Sequence, residues 1–553
     1  MASKREASLS QTEMMAEARS RASFDVEALT RVIYGDADTQ YAKTSREDLY
    51  INGLRMGKAA WDDRAKSGHD FFDWMTPRFT LFNSPFGLST SMFIKMLELM
   101  ASPEQKSRWL VPATKGQISG AYMQTELGHG TFVRGLETTA TLDESRDCFL
   151  LNTPTLSSTK FWPGAMDFAV SHGVVMARLI TKGKDCGVHP FMVQLHDIEM
   201  GEAFGGIELG DIGPKLSHNQ NDNGFARLND VVIPRDSMLS AQASVARDGT
   251  YARRANVHEK AAYGTMLVTR SKMAHVTSIQ LAAAVTIAIR FSTVGKQGNF
   301  TYSEDAPGYA ILFASRPCEA AQRDFEKRGA EGDFSTMQSA HALTAGVKAW
   351  SSVIALDGAE DCRRICGGHG YFLNSGLPDI VQSLAVMYTG EGDAHILLQQ
   401  TAIYLMKWMR GFGDSRLVQG LKIGETKAQV WNQHIVLLTS AARARVEYLV
   451  LRDFIEATER VKDVAVSKVL CKLRSVFALS TITNPHSTDA LSFVEDGFLS
   501  DTQLDAIRDA ISSLLDDLLP EAIGLTDAWD LTDAALSSAI GMKDGNAYET
   551  LMK

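Results

Sequence analysis

The hydrophobic pattern of this chain changes twice along its length, and these two changes limit the folds that it can adopt. From about residue 24 to 115, apolar residues recur three and four positions apart, as Val26 and Leu29 do, which is typical of amphipathic helices. From about residue 118 to 245, short β-branched or alternating segments are broken by Gly, Pro, Asn and Asp. Long helical patterns return after Gly249. We therefore expect an α+β protein that is mainly α, with one sheet region between helical regions.

The length of the chain, 553 residues, exceeds what a single hydrophobic core usually supports. We expect four domains: an N-terminal helical domain over 1–115, a central antiparallel β domain over 116–246, a helical bundle domain over 247–412 and an additional C-terminal helical domain over 413–553. No internal repeat is visible in the sequence, so the pattern favours distinct packed layers over a solenoid.

Composition and charge exclude several classes of function. The net charge is -10 and no run of lysines and arginines forms a basic stripe, which argues against nucleic acid as a partner. Apolar runs such as Ile279 to Ile289 are too short to span a bilayer, and residues 1–20 lack the apolar core of a signal peptide. Six irregularly spaced cysteines predict reduced thiols, with Cys362 and Cys366 buried and no metal site.

The segment from Tyr388 to Asp393 is the strongest candidate for chemistry. Asp393 is a good N-cap for a helix that the pattern continues as far as Trp408. Glu391 precedes that helix between two glycines, where a carboxylate can act as a general base close to a ligand. The helix N-terminus would lower the pKa of Glu391 and an apolar pocket would raise it, and the residues leave this balance open. A solvated Gly-Glu-Gly turn is the alternative interpretation.

Two further motifs suit a flat ligand with hydrogen-bonding edges, such as a flavin ring. The first is Ala121 to Thr131, at the end of the first predicted strand, where Gln124 and Thr125 offer amide and hydroxyl groups. The second is Lys160 to Gly164, where an aromatic pair precedes a glycine that lets the backbone approach a ring. A polar turn at the end of a strand explains the first motif equally well.

A third motif, Cys366 to Tyr371, follows a predicted helix. Its glycines offer backbone N–H groups to a pyrophosphate, but they also fit a simple stop at the helix C-terminus. The motif lacks the spacing and the preceding strand of a dinucleotide-binding turn, and the chain has no Walker-type loop.

Taken together and in order, these motifs resemble the acyl-CoA oxidase family, a branch of the acyl-CoA dehydrogenase superfamily. The resemblance covers nearly the whole chain. Its most specific segments are Gln124 to Thr131, Arg134 to Thr141, Gly210 to Lys215, His341 to Gly346, Cys366 to Tyr371 and Glu391 to Asp393.

The resemblance implies an enzyme that binds FAD, oxidises an acyl-CoA to the trans-2-enoyl-CoA and passes electrons to O2 to make hydrogen peroxide, the first step of fatty acid β-oxidation. It implies that Glu391 is the base, with its backbone N–H donating to the thioester oxygen. It also implies a homodimer in the peroxisome, although Leu551, Met552 and Lys553 are not a Ser-Lys-Leu type of address.

The resemblance also implies a set of FAD contacts. Thr125 and Gly164 match flavin contacts, and Gly367 and Gly368 match a loop that reaches the FAD of the neighbouring subunit. Two more residues match contacts to the FAD pyrophosphate across that interface, Arg290 and Gln297.

The sequence departs from the family pattern at two places near the expected cofactor. Gly295 stands where the family usually has arginine, with Lys296 beside it, and the segment from about Pro307 to Ser339 is shorter than usual. These departures keep a non-enzymatic hypothesis open, in which a homologue without tight FAD acts as an acyl-CoA binding or dimerisation partner. A dehydrogenase that uses a protein electron acceptor is the other alternative.

Overall fold

The computed structural model describes residues 84–166, 169–199, 201–254, 264–295, 335–409, 426–483 and 490–552, with short stretches between 15 and 62 and between 320 and 328. The helical pattern predicted at Val26 and Leu29 lies outside the described residues, as do Lys296, Gln297 and most of the segment from Pro307 to Ser339.

The first described part of the chain is helical, as its apolar run predicts. The helices are α1 (Phe86–Leu88), α2 (Ile94–Met100), α3 (Pro103–Gln105) and α4 (Val111–Thr114), with π-helical turns at Ser89–Phe93 and Lys106–Leu110. Ser102 and Gln105 form a capping box that starts α3. Phe93 and Leu97 are fully buried and pack with Val174 of the neighbouring sheet, so this helical region covers one face of the β region.

Eleven strands follow among the described residues: β1 (Gly120–Met123), β2 (Thr139–Asp143), β3 (Cys148–Asn152), β4 (Lys160–Phe161), β5 (His172–Thr181), β6 (Lys184–Gln194), β7 (Ile207–Asp211), β8 (Gly224–Leu228), β9 (Val231–Pro234), β10 (Ala243–Val245) and β11 (Tyr251–Arg253). The largest sheet has the order β1-β5-β2-β3-β9, with β6 on the other edge of β5, and smaller sheets are β4-β8-β7 and β10-β11.

The expectation of an antiparallel sheet holds for most strand pairs and is wrong for two of them. Both β1 and β2 run parallel to β5, end to end along one of its edges. The residues of β5 are buried on both faces over most of its length, as is usual for strands with parallel neighbours. Alternating hydrophobicity indicates which side chains of a strand are buried and not the direction in which the strand runs. The sequence therefore could not distinguish parallel from antiparallel pairing.

The helical bundle begins with α5 (Gly264–Val294), which pairs with α6 (Met337–Ile365), followed by α7 (Leu377–Thr389) and α8 (Ala394–Met409). The bounds of α8 are those that the sequence predicts, because a local cap sets its start. By length and apolar composition α5 could cross a bilayer, but nearly all of it is buried inside the protein, as expected of a core helix. Cys362 and Cys366 are buried free thiols, as predicted.

The last part of the chain is helical as well. Its elements are α9 (Lys427–Glu459), α10 (Val464–Thr483), α11 (Ala490–Glu495), α12 (Asp501–Leu518), α13 (Ala522–Asp527), α14 (Asp533–Leu536) and α15 (Ala547–Leu551). Buried side chains of α5, α6, α9 and α10 join one continuous core, in which Trp350 packs edge-on against Phe477. The boundary proposed near residue 412 stays a prediction, since the two helical regions share this core.

Candidate active site

A cavity of about 1390 Å³ opens between the sheet region and helices α5 to α8. Glu391 and Gly392 line it beside a polar wall that contains Thr125 and Gly164. The structure therefore brings together three predicted site residues from distant parts of the chain. The volume is large for a small-molecule site, whose usual range is about 300–1,000 Å³, so two ligands or one extended ligand can fit.

The turn that carries Glu391 has an unusual backbone. Glu391 has φ of +55° and Gly392 has φ of +109°, so two successive residues lie in regions that L side chains rarely occupy. The carboxylate of Asp393 accepts from the backbone N–H of His395 at 2.9 Å and begins α8. Backbone strain of this kind in a non-glycine residue is concentrated at functional sites.

Two buried cations hold this turn from the side of the bundle. The Nε of Arg270, on α5, donates to the carbonyl oxygen of Glu391 at 2.9 Å. The Nζ of Lys348, on α6, donates to the carbonyl oxygens of Tyr388 at 3.2 Å and Gly392 at 2.6 Å. Both cationic side chains are buried. The turn is thus fixed by charge-assisted hydrogen bonds to its main chain.

The environment of Glu391 settles the balance that the sequence leaves open. Burial raises the pKa of this carboxyl, and the positive charges of Arg270 and Lys348 oppose the rise without cancelling it. A carboxylate with a raised pKa is a better proton acceptor than an ordinary surface glutamate. The hydrogen bonds from Arg270 and Lys348 and the place of Glu391 in the cavity lining favour a functional site over an ordinary solvated turn.

A second strained turn forms part of the polar wall. Trp162 has φ of +82° and Ala165 has φ of +64°. The side chain of Asn223 donates to the carbonyl oxygen of Trp162 at 2.7 Å, and the N–H of Ala165 donates to the side-chain oxygen of Asn221 at 3.1 Å. Gly164 lies within this turn, and the indole of Trp162 is more than half exposed beside the cavity.

A buried ion pair supports Thr125 from behind. Lys160 and Glu126 have almost no exposed surface, and their charged groups are 3.0 Å apart. The same carboxylate accepts from the N–H and the hydroxyl of Thr138, at 3.0 Å and 2.6 Å. Burial would raise the pKa of Glu126, but Lys160 and these hydrogen bonds outweigh it and lower that pKa. The pair ties β4 to the turn that follows β1.

An apolar part of the cavity lining, called here the apolar wall, is rich in methionine. Met92 comes from the π-helical turn after α1, Met266 and Met273 come from α5, and Met337 comes from the start of α6. Thioether side chains are flexible and adapt to apolar ligands of different shape. Glu391 therefore lies in a cavity whose lining combines polar and apolar residues.

The other predicted cofactor residues lie elsewhere. Arg290 does not line the cavity; its buried guanidinium pairs with Asp527 at 2.8 Å and Asp533 at 3.3 Å, which joins α5 to the C-terminal helices. Gly367 and Gly368 are exposed at the end of α6. Their contacts to FAD across a subunit interface stay predictions, and Gln297 lies outside the described residues.

Sequence reasoning missed Arg270 and Lys348. Lys348 is a single cation inside a long apolar helical run, and Arg270 has only Lys272 close to it in another such run. A charge buried in such a run needs a partner, which was the available signal. The sequence could not show that the partner of both is the turn around residue 391, because helices α5 and α6 meet that turn only in the folded chain.

Comparison with known proteins gives a consistent result over most of the chain. The family model described as acyl-coenzyme A oxidase N-terminal matches residues 26–119. The acyl-CoA oxidase C-alpha1 domain matches residues 263–312 and 304–406, and the acyl-CoA oxidase model matches residues 403–553. The two C-alpha1 matches meet inside the segment that the sequence predicts to be shortened.

Complete relatives and solved structures agree with these matches. Peroxisomal acyl-coenzyme A oxidase 1 of Rattus norvegicus is 33% identical over 545 residues, which cover 85% of this chain and 82% of the relative. The structure of Arabidopsis thaliana acyl-CoA oxidase 1 is 31% identical with a TM-score of 0.89, covering 97% of this chain and 95% of that one. Acyl-CoA oxidase-2 of Caenorhabditis elegans, bound with FAD, ascaroside-CoA and ATP, is 28% identical with a TM-score of 0.89 and covers 98% and 94%.

Proposed function

Since this chain belongs to the acyl-CoA oxidase family, we propose that it is an FAD-dependent enzyme that oxidises an acyl-CoA to the trans-2-enoyl-CoA with O2, in fatty acid β-oxidation, and that Glu391 is its base. The observation that carries the assignment of the base is the position of Glu391. Glu391 lines the cavity on a strained turn held by two buried cations.

The chemistry asks the base to remove a proton from the carbon next to the thioester carbonyl. A thioester makes this proton acidic, and a carboxylate of raised pKa is suited to accept it. Charge develops on the thioester oxygen as the proton leaves, and a backbone N–H aimed at that oxygen stabilises it. We assign the N–H of Glu391 to this donor role, which the strained and fixed turn supports.

The polar wall fits a flavin. The exposed face of Trp162 offers a flat surface for an aromatic ring, and Gly164 leaves room for close approach in a turn that two asparagines fix. Thr125 offers its hydroxyl from a turn that the buried Glu126 and Lys160 pair supports. FAD bound there would accept the hydrogen of the β carbon with its electron pair and pass the electrons to O2.

The apolar wall fits the acyl chain, and the cavity also supplies the charge that the rest of the substrate needs. Met92, Met273 and Met337 give an adaptable surface for a hydrocarbon chain. Coenzyme A is anionic, and a chain of net charge -10 must attract it locally. Arg134 and Lys407, which also line the cavity, provide positive side chains for this purpose.

We also propose that the chain forms a homodimer in the peroxisome. Tyr371, Phe372 and Leu373 are consecutive and are 78%, 59% and 65% exposed. An exposed apolar patch of this kind is typical of an interaction surface, and it directly follows the glycines expected to reach the neighbouring FAD. The curated relatives named as peroxisomal proteins support the location.

The absorption spectrum of the purified protein with added FAD tests the proposed function. We expect a bound flavin band that bleaches when a fatty acyl-CoA is added without oxygen and recovers in air as hydrogen peroxide forms. Bleaching without peroxide in air would favour a dehydrogenase with a protein acceptor. A protein that takes up no FAD and makes no peroxide would favour the binding-partner hypothesis.

A further inference from the structure

Lys348 is the more deeply buried of the two cations that hold the turn of the candidate base. Lys348 is only 1% exposed, and its ammonium is bonded to two main-chain carbonyl oxygens, those of Tyr388 and Gly392. These two carbonyls lie on either side of Glu391, three residues before it and one residue after it. The ammonium therefore bridges the two ends of the turn that presents the base.

A cation at this depth is costly for folding. Moving an ammonium out of water costs several kcal/mol, of which two hydrogen bonds to neutral carbonyls recover only part. Its neighbours on α6, Ala345 and Ala349, are buried and apolar, so an apolar side chain would suit the helix equally well. The charge at position 348 thus points to a requirement of the site and not of the core.

Charged groups from two other elements face this ammonium. Burial, with a smaller contribution from Arg270 on α5, lowers the pKa of Lys348 to about 7 against the opposing effect of Glu391 and Asp393 of the turn. The interaction is mutual, since the positive charge of Lys348 counteracts the rise in the pKa of Glu391. The charged form of Lys348, and with it the effect on the base, increases as pH falls through this value.

We propose that Lys348 is a positioning residue for the oxidation: it holds the turn through the carbonyl oxygens of Tyr388 and Gly392 and so fixes the position of Glu391. The inference rests on the proposed function of Glu391 as the base. Without the ammonium, two carbonyl oxygens lose their donor, the turn relaxes away from its strained geometry and the carboxyl loses a stabilising positive charge.

The test compares K348M and K348R with the wild-type enzyme, with K468M, an exposed lysine on α10, as the matched control. We expect K348M to lower kcat by roughly 10²-fold, the effect of misplacing a catalytic group by about 1 Å, with little change in KM. The acid limb of its pH profile should move up by about one unit, as expected when an opposite charge is lost. K348R should keep the wild-type limb.

A second readout does not depend on turnover. Hydrogen exchange of the amides in residues 386–394 should be faster in K348M than in the wild type, and unchanged in K468M and in the other elements. If K348M does not fold, K348Q, which keeps N–H donors without the charge, should show the same upward shift of the acid limb.

The proposal is overturned if a folded, flavin-loaded K348M or K348Q keeps the wild-type kcat, acid limb and exchange rates. E391Q separates this failure from failure of the proposed function. An inactive E391Q together with a normal K348M removes only the role of Lys348, whereas an active E391Q removes the base itself.

Discussion

At the scale of single residues, Glu391 has to meet two requirements that oppose each other. It needs a raised pKa to accept a proton, and it needs to be ionised at neutral pH. Burial provides the first and the nearby Arg270 and Lys348 limit the rise, so that the carboxyl is a stronger base than a surface glutamate without being locked in its protonated form. Burial and the two nearby cations therefore act in opposite directions on the pKa of Glu391.

The pH dependence of turnover follows from the raised pKa of Glu391. The base works only when deprotonated, so kcat/KM should fall as pH decreases through a pKa above the ordinary glutamate value of 4.5. A profile measured from pH 4 to 9 checks this expectation. An acid limb at or below the ordinary value would show that burial does not control this carboxyl.

The raised pKa of Glu391 also predicts that folding stability decreases as pH rises, whereas activity increases. A carboxyl whose folded pKa is raised contributes stability below its unfolded pKa, and this contribution is lost as pH rises through the folded pKa. Glu391→Gln removes the titration, so the variant should melt at a higher temperature than the wild type at pH 8, with a smaller difference at pH 4. A lower melting temperature of the variant at pH 8 would contradict this account.

The backbone of Gly392 is the second requirement at this scale. A Cβ there would lie 2.8 Å from a methyl carbon of Leu397 and 3.3 Å from a terminal nitrogen of Arg270, at φ of +109°. Gly392→Ala should therefore displace the turn, cost about 1–3 kcal/mol of stability and lower kcat more than KM. Gly205→Ala, where no atom lies within 4 Å of the added carbon, is the matched control. Equal kcat values for the two variants would count against a fixed turn.

At the scale of elements, the sequence predicts best what is decided locally. Asp393 is followed by a run of helix formers, and α8 begins and ends where this pattern does. The direction of β5 relative to β1 and β2 is decided by long connections, and the local pattern carries no information about it. The two cations of the site come from α5 and α6, and their convergence on one turn is a property of helix packing.

Arg290 has ion pairs that the sequence does not reveal. The family resemblance places it at a helix end near the cofactor of the neighbouring subunit, which stays a prediction, and its guanidinium is buried against Asp527 and Asp533. Both acids lie more than 200 residues later in the chain, where no local pattern indicates an ion pair. Thr125, Gly164 and Glu391, in contrast, line one cavity as their motifs predict.

The buried ion pair of Lys160 and Glu126 joins β4 to the turn after β1, and its contribution to stability can be tested. Lys160→Met would leave the carboxylate of Glu126 buried without its cation, which should cost about 3–5 kcal/mol in the free energy of unfolding. Lys184→Met, at the exposed start of β6, should have almost no effect. Urea unfolding of both variants measures the difference. A loss below about 1 kcal/mol in Lys160→Met would show that hydrogen bonds alone hold this turn.

At the scale of the whole molecule, the proposed homodimer predicts a particle of twice the 60.5 kDa chain mass. Replacing Tyr371 and Phe372 with serine removes the exposed aromatic surface after the loop of Gly367 and Gly368. The dimer of this variant should therefore dissociate at a higher protein concentration than the wild-type dimer, and it should lose FAD more readily. Phe498→Ser, at a similarly exposed apolar residue, is the control. Light scattering that gives the same mass and dilution behaviour for all three proteins would place the interface elsewhere.

The most direct test of the central claim is the rate at which an acyl-CoA reduces the bound flavin in the absence of oxygen, measured in the wild type and in Glu391→Gln. If Glu391 removes the proton, the variant should bind FAD with a normal spectrum and reduce it at least about 10²-fold more slowly. A flavin-loaded variant that is reduced at the wild-type rate would show that another group is the base.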